Sequence, residues 1–248
     1  MGLRLDVALV RRGLAASREQ AQRLIAEGQV SVDGRPARKP SQNVPEDAAL
    51  SAGRPRFVSR GGEKLEGAFA AFPLEVAGRC CLDVGASTGG FTDCLLQHGA
   101  RRVLALDVGT GQLHERLRAD PRVWSREQFN CRFLTPADLP ETPTFGVTDV
   151  SFISLKLILP PMAACLAPGS GLLSLVKPQF EAGRSAAPRG VVRDEAVRRR
   201  VVEEIRAFGT ETLGLDWLGC APSPILGPDG NQEFLAWWRT PGRPPEEG

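Results

Sequence analysis

From Arg79 onward, short runs that are apolar on both faces alternate with amphipathic stretches, and this alternation limits the fold more than any other feature. "RCCLDVG", "RVLALDVG", "FGVTDV" (145–150) and "GLLSLV" (171–176) read as strands. A short strand near Val123 joins them, and "GFTDCLLQHG", the span Leu155 to Leu166 and the span from about Arg193 to Phe208 read as helices between them. Strands that lack an in–out alternation and are separated by helices form a largely parallel sheet covered on both faces. Two further strands, "GLDWLGCAP" (214–222) and "QEFLAWWR" (232–239), are joined by a segment rich in proline and glycine. That connection is too short for a helical crossover, so the last strand is expected to run antiparallel. Its beginning, near Glu233, then lies on the same sheet edge as the ends of the parallel strands. The expected fold class is α/β.

The chain has 248 residues, enough for a large domain and a small one. Its net charge of +2 hides an asymmetry, because residues 1–60 carry 11 basic against 6 acidic side chains. Within that basic segment, "RLDVALVRRGLAASREQAQRLIAEGQVSVDG" begins with an apolar helical stripe (Leu5, Ala8, Leu9). Ser17 is placed to cap a second helix with Gln20 three residues on, Gly28 ends it, and "QVSVDG" is a strand closed by an Asp33-Gly34 turn. A polyanion partner suits this charge, while solvated surface arginines are the plainer reading.

The six cysteines form no C-x-x-C pair, and the two histidines, His98 and His114, show no metal-ligand spacing. These features predict reduced cysteines, no metal and a cytoplasmic protein. No secretory signal is visible, since Arg4 and Asp6 interrupt the start. The longest uncharged run, Leu157 to Val176, contains Pro160, Pro161, Pro168, Gly169 and Gly171 and reads as helix, turn and strand, not a membrane span.

"LDVGASTGGFTD", from Leu82 to Asp93, is a strand entering a Gly-rich turn and a helix, a place where backbone N–H groups can approach a ligand. The dinucleotide fingerprint would put glycines at 85, 87 and 90, but position 87 is Ser87. Asp83 lies in the strand, and Asp107 ends the next one, where a carboxylate meets ribose hydroxyls. Two acids, with no basic residue in the Gly-rich turn after the first, favour S-adenosylmethionine over a phosphorylated dinucleotide.

Of 31 basic residues only four are lysines: Lys39, Lys64, Lys156 and Lys177. Lys177 closes a buried strand, where a compact amine does what guanidinium cannot. Asp149 closes another strand, so Asp149, Lys177 and Glu233 converge on one edge, where open α/β sheets bind ligands. Lys64, on a helix start before the first strand, is not placed by this argument.

In order, "FVSRGGEKL", "LDVGASTGGFTD", "TDVSFISL", "LVKPQFE", "GVVRD" and "GNQEFL" resemble the TlyA family, also called haemolysin A. These are S4-domain ribosomal RNA 2'-O-methyltransferases with an FtsJ-like catalytic domain, and the N-terminal segment resembles the S4 RNA-binding module. The resemblance implies a Rossmann-like class I methyltransferase sheet over 63–240, an S4-like domain over 1–52, a linker at 53–62 and a disordered tail at 241–248. It implies a catalytic tetrad of Lys64, Asp149, Lys177 and Glu233. Lys177 would hold or deprotonate the attacking hydroxyl, two roles that stay open. Donor contacts are implied for Asp83, Gly85, Ala86, Ser87, Thr88, Gly89, Gly90, Asp107, Asn130, Asp149 and Phe152. The family's acidic-Gly-x-Asn-x-Arg segment is matched by Asn130 and Arg132, but its glycine is absent from "REQFNCRF". RNA contacts are assigned to Arg4, Arg11, Arg12, Arg18, Arg23, Arg35, Arg38, Lys39 and Arg60. A cytidine in ribosomal RNA is the implied target, with naked RNA, a subunit or a whole ribosome left open as the bound form; a monomer in solution is expected. The competing readings are a membrane-active haemolysin, for which no inserting element is evident, and an RNA-binding factor without catalysis.

Overall fold

The computed structural model describes residues 2–53, 56–183, 186–187, 190–227 and 229–242. The chain divides into two compact units, Met1–Arg56 and Phe57–Gly248.

In the first unit, helices Leu5–Arg11 and Arg18–Ala26 pack on a three-stranded sheet ordered Arg35–Pro36, Val30–Val32, Leu50–Ala52. Leu5, Leu9, Ile25, Val30 and Val44 form its core. The second helix starts as the sequence predicts: Gln20 N–H donates to Ser17 Oγ at 3.2 Å. The Gln20 side chain reaches one residue further back than a capping box requires and accepts from Ala16 N–H at 2.7 Å. Asp33 and Gly34 take φ of 50° and 74°, the left-handed pair that a two-residue hairpin turn needs.

The second unit holds strands β1 (Cys80–Val84), β2 (Arg102–Leu106), β3 (Val123–Arg126), β4 (Phe145–Thr148), β5 (Gly171–Val176), β6 (Asp216–Pro222) and β7 (Phe234–Arg239). Their order in the sheet is β6-β7-β5-β4-β1-β2-β3. All pairings from β5 to β3 are parallel, and β7 is antiparallel to both β5 and β6. The chain therefore reverses at β1 and β4, the switch point where such sheets open a crevice.

Helices α1 (Gly61–Ala71), α2 (Gly90–Gln97), α3 (Glu115–Arg118), α4 (Leu159–Cys165), α5 (Pro178–Glu181) and α6 (Glu195–Ala207) complete the unit. Helices α1 and α2 cover one face, with Leu65, Ala68, Cys94 and Leu95 against Cys81, Val103, Val147 and Leu173. Helices α4 and α6 cover the other, with Leu159, Met162, Val201 and Ile205 against Leu82, Leu104, Leu172 and Trp238.

Three boundaries differ from the sequence reading. Helix α1 begins at Gly61, inside the expected linker, because Gly62 lets the chain close on itself: a Cβ there would lie 2.2 Å from the Phe57 ring. The helix expected from Leu155 to Leu166 is a 3-10 turn, Leu155–Leu157, followed by α4, because Pro160 and Pro161 suit only a first helical turn. Helix α6 runs on through a π turn, Phe208–Thr212, where Gly209 makes room for Trp238. Of the expected tail, residues 243–248 lie outside the described residues.

Trp238 is fully buried, donates from its indole N–H to Ser174 Oγ at 3.0 Å, and meets the Trp217 ring edge-on at 4.5 Å. Trp238→Ala is expected to destabilise the second unit by about 3–5 kcal/mol through the cavity it leaves. Trp238→Phe should cost clearly less, and urea unfolding followed by circular dichroism measures both.

Candidate active site at the carboxyl edge of the sheet

The turn after β1 is built from left-handed residues: Gly85, Ser87 and Gly89 have φ of 83°, 48° and 93°. Gly85 and Ala86 N–H groups both donate to Leu106 O, at 2.9 and 3.1 Å, which ties the turn to the end of β2. A Cβ on Gly85 would lie 3.0 Å from Asp149 O, so glycine is what lets this turn approach the end of β4. Asp107 accepts from Ser87 N–H at 2.8 Å and from Gly109 N–H at 2.7 Å.

After β3, Glu127 accepts backbone N–H bonds from Leu113, Gly111 and Gln112, which hold its carboxyl below the usual range. Gln128 follows with φ of 55°. It occupies the position where the resemblance expects glycine, and the left-handed backbone there is the physical reason for that expectation. Asn130 caps the next turn by accepting from Arg132 N–H at 3.2 Å.

These segments enclose a cavity of about 490 Å³ whose walls include Val84, Gly85, Ser87, Asp107, Asn130, Val150, Phe152 and Ile153. Beside it lies a second cavity of about 360 Å³, walled by Arg60, Lys64, Thr88, Lys177 and Leu226 among others. Gly85, Ser87, Asp149 and Ser151 belong to both. Phe152 is 90% exposed, has φ of 63°, and packs at 5.0 Å on the Phe180 ring. A bulky residue held in that conformation marks a strained turn at the cavity mouth.

The structure brings Lys64, Asp149, Lys177 and Glu233 together. Lys177 Nζ lies 2.5 Å from Asp149 Oδ1. Lys64 Nζ lies 3.4 Å from Asp149 Oδ2 and 2.7 Å from Glu233 Oε2. Both lysines are 7% exposed and Glu233 is 1% exposed. Two positive and two negative side chains thus neutralise each other, three of them buried and Asp149 partly so. Lys64 arrives from α1, which crosses α2 closely at glycine: a Cβ on Gly90 would lie 2.9 Å from Gly61 Cα. Gly227 makes room in the same way for Glu233, whose Oε1 would lie 2.7 Å from a Cβ there.

Five of the residues implied as donor contacts lie outside the walls of the larger cavity. Asp83 does not reach the cavity: it alternates with Leu82 and Val84, faces α2, is fully buried, and accepts from Thr92 Oγ at 2.6 Å. Burial pushes its carboxyl up to about 7, against the opposing Thr92 bond. Gly89 faces α3, where a Cβ would lie 2.3 Å from Leu117 Cδ1. Ala86, Thr88 and Gly90 line the second cavity instead of the first.

The basic residues also divide. Arg4 and Arg18 are held by the buried Asp6 at 3.1 and 3.0 Å, and these bonds keep the Asp6 carboxyl well below the usual range. Arg12 is spent on the carbonyls of Ala48 and Glu46, both at 2.5 Å, and Arg11 lies 4.0 Å from Glu46. Arg23, Arg35, Arg38 and Lys39 are exposed without a carboxylate partner among the described residues. Arg60 belongs to the second unit, donates to Leu226 O at 2.8 Å, and stands at the second cavity.

Two arrangements escaped the sequence reading. Ser151 accepts from Lys177 Nζ at 2.8 Å, and a serine three residues beyond a strand carries no signal of its own. Glu66, Cys94 and His98 bring their ligand atoms within 4.8 Å of one another, with His98 Nε2 2.8 Å from Glu66 Oε2. Cys94 lies on α2 and His98 caps its end four residues on, one helical turn away. Their hydrogen bonds to Glu66 pin α2 to α1.

A mostly parallel sheet of this order, one antiparallel strand near its edge, a Gly-rich turn after β1 and a carboxylate after β2 define a methyltransferase-type fold in the second unit. Comparison with known proteins agrees. Residues 57–240 match the FtsJ-like methyltransferase family, and residues 3–50 match the S4 domain. The 16S/23S rRNA (cytidine-2'-O)-methyltransferase TlyA of Mycobacterium tuberculosis is 48% identical over 96% of this chain and 90% of its own. Hemolysin A of Brachyspira hyodysenteriae is 40% identical over 94% of this chain and 98% of its own. A solved Streptococcus thermophilus structure that carries the hemolysin label superposes with a TM-score of 0.76 at 44% identity, covering 98% of this chain and 90% of that one. The chain belongs to the FtsJ-like methyltransferase family, in the S4-bearing group whose members are named TlyA and hemolysin A.

The Asp83 carboxyl gives a pH test. Its folded-state value near 7 lies above the unfolded value of about 3.9, so the stability tied to its neutral form is full below about pH 4 and is lost as pH rises through about 7. Asp83→Asn is expected to flatten the change in urea midpoint between pH 5 and pH 8; an unchanged slope would remove Asp83 as its source.

Proposed function

We propose that the protein is an S-adenosylmethionine-dependent 2'-O-methyltransferase of ribosomal RNA, with cytidine as its target nucleoside. The observation that carries this reading is the charge-balanced group of Lys64, Asp149, Lys177 and Glu233, whose Lys64 and Lys177 line the smaller cavity and whose Asp149 lines both. The printed function of the mycobacterial relative supplies the nucleoside and the RNA.

The larger cavity fits the methyl donor. Asp107 stands where a carboxylate meets ribose hydroxyls, and Val150, Ile153 and Ile158 offer apolar walls to a purine. Asn130 and the backbone of Gly85 and Ser87 supply polar contacts, and no lysine lines this cavity. The donor, when bound, supplies a methyl group made electrophilic by its sulfonium.

The rest of the chemistry belongs to the chain. The smaller cavity takes the target nucleotide, and Lys177 at its wall meets the attacking 2'-hydroxyl. Asp149 fixes the amine at 2.5 Å, while Lys64 neutralises Asp149 and Glu233. Holding the oxygen in line with the methyl group is the main part of such catalysis. As a free amine Lys177 takes the hydroxyl proton; as an ammonium it orients the oxygen through an N–H. The exposed Arg23, Arg35, Arg38 and Lys39 of the S4 unit suit the phosphates of a structured RNA.

Lys177→Ala is expected to lower kcat by at least about a hundredfold, read as tritiated methyl transfer to ribosomal RNA from cells lacking this gene. Lys177→Arg should be nearly as poor, since guanidinium neither gives up its proton nor matches the amine's size. Wild-type rates in Lys177→Ala would refute the assignment. A pH–rate profile with a rising limb identifies the amine as the base, and a flat one leaves it as the orienting donor.

A further inference from the structure

The two lysines of the site are held in different ways. Lys64 lies between two carboxylates, 3.4 Å from Asp149 and 2.7 Å from Glu233. Lys177 meets one carboxylate, Asp149 at 2.5 Å, and one neutral hydroxyl, Ser151 Oγ at 2.8 Å. An ammonium has three N–H groups. Lys177 donates one of them to Ser151 Oγ, Asp149 Oδ1 is an ion-pair contact at 2.5 Å, and no further side-chain acceptor meets the amine among the described residues. Lys177 also forms part of the smaller cavity's wall.

Ser151 stands where this matters. It lies three residues past the end of β4, between Asp149 and the strained Phe152, and it belongs to the walls of both cavities. Phe152, at φ of 63°, packs on Phe180, which lies 5.9 Å from Lys177 Nζ on the neighbouring connection. The turn that aims Ser151 at the amine is therefore braced from outside. A lysine stem has four rotatable bonds, and a single carboxylate fixes its end in distance but not in direction. The hydroxyl supplies the second anchor. Because it is neutral, it does so without adding a second carboxylate of the kind that Lys64 meets.

We propose that Ser151 is a positioning residue: it fixes the direction of the Lys177 amine so that its remaining position faces the target nucleotide. This rests on the proposed role of Lys177. The test uses full-length protein, with single-turnover methyl transfer to ribosomal RNA from cells lacking this gene and calorimetric binding of S-adenosylmethionine. Ser151→Ala is expected to lower kcat by about ten- to a hundredfold, the range expected for a misdirected catalytic group. The donor Kd and the RNA KM should stay within about twofold, and Ser151→Thr, which keeps a hydroxyl, should recover most of the rate. In a Lys177→Ala background, adding Ser151→Ala should cost nothing further, because the serine acts through the lysine.

Three results would overturn the proposal: a wild-type kcat in Ser151→Ala, a weakened donor Kd that accounts for the loss, or a further loss in the double variant. If Lys177→Ala is inactive while Ser151→Ala is unimpaired, this inference fails and the enzymatic reading stands. If Lys177→Ala is itself active, that reading fails first.

Discussion

Three buried charges and a partly exposed fourth set the terms for this molecule. Lys64, Asp149, Lys177 and Glu233 come from α1, the end of β4, the end of β5 and the start of β7, and the buried Lys64, Lys177 and Glu233 would each be costly without a partner. Their mutual distances of 2.5 to 3.4 Å require all four segments to be in place at once. The network therefore acts as a lock on the carboxyl edge of the sheet as well as a candidate reaction centre. Glycines do the matching steric work, since side chains at Gly62, Gly85, Gly90 or Gly227 would push these segments apart.

That edge is shaped by the sheet's reversal at β1 and β4. Parallel strands deliver the Gly85 turn, Asp107, Asp149 and Lys177 to one rim, and the antiparallel β7 brings Glu233 back to it. The same geometry yields two cavities with a common wall, a sensible arrangement for moving one small group between two large partners. The strained Phe152 turn and the Ser151 contact lie on this wall, where backbone strain is retained if it aims a side chain.

The first unit follows a different logic. Its small core is supplemented by Asp6, fully buried and shared by Arg4, Arg18 and Gln22. The exposed cations not committed to such contacts sit on the second helix and on the segment after the Asp33-Gly34 turn. Charge used to build the unit and charge left to meet a polyanion are thus different residues, although composition counts them alike.

The sequence by itself determined the α/β class, the antiparallel last strand, the Ser17 cap and the shared edge of Asp149, Lys177 and Glu233. Those features follow from local rules: apolar period, turn chemistry, and the length of a connection. Local rules did not place Lys64, which only the family resemblance implied, because its place depends on two helices crossing at Gly61 and Gly90. Only the structure turned Asp83 away from the donor cavity, since the alternation of a buried strand has no polar mark to read. Ser151 was invisible for the same reason: a hydroxyl gains meaning only from the amine that folding sets 2.8 Å away.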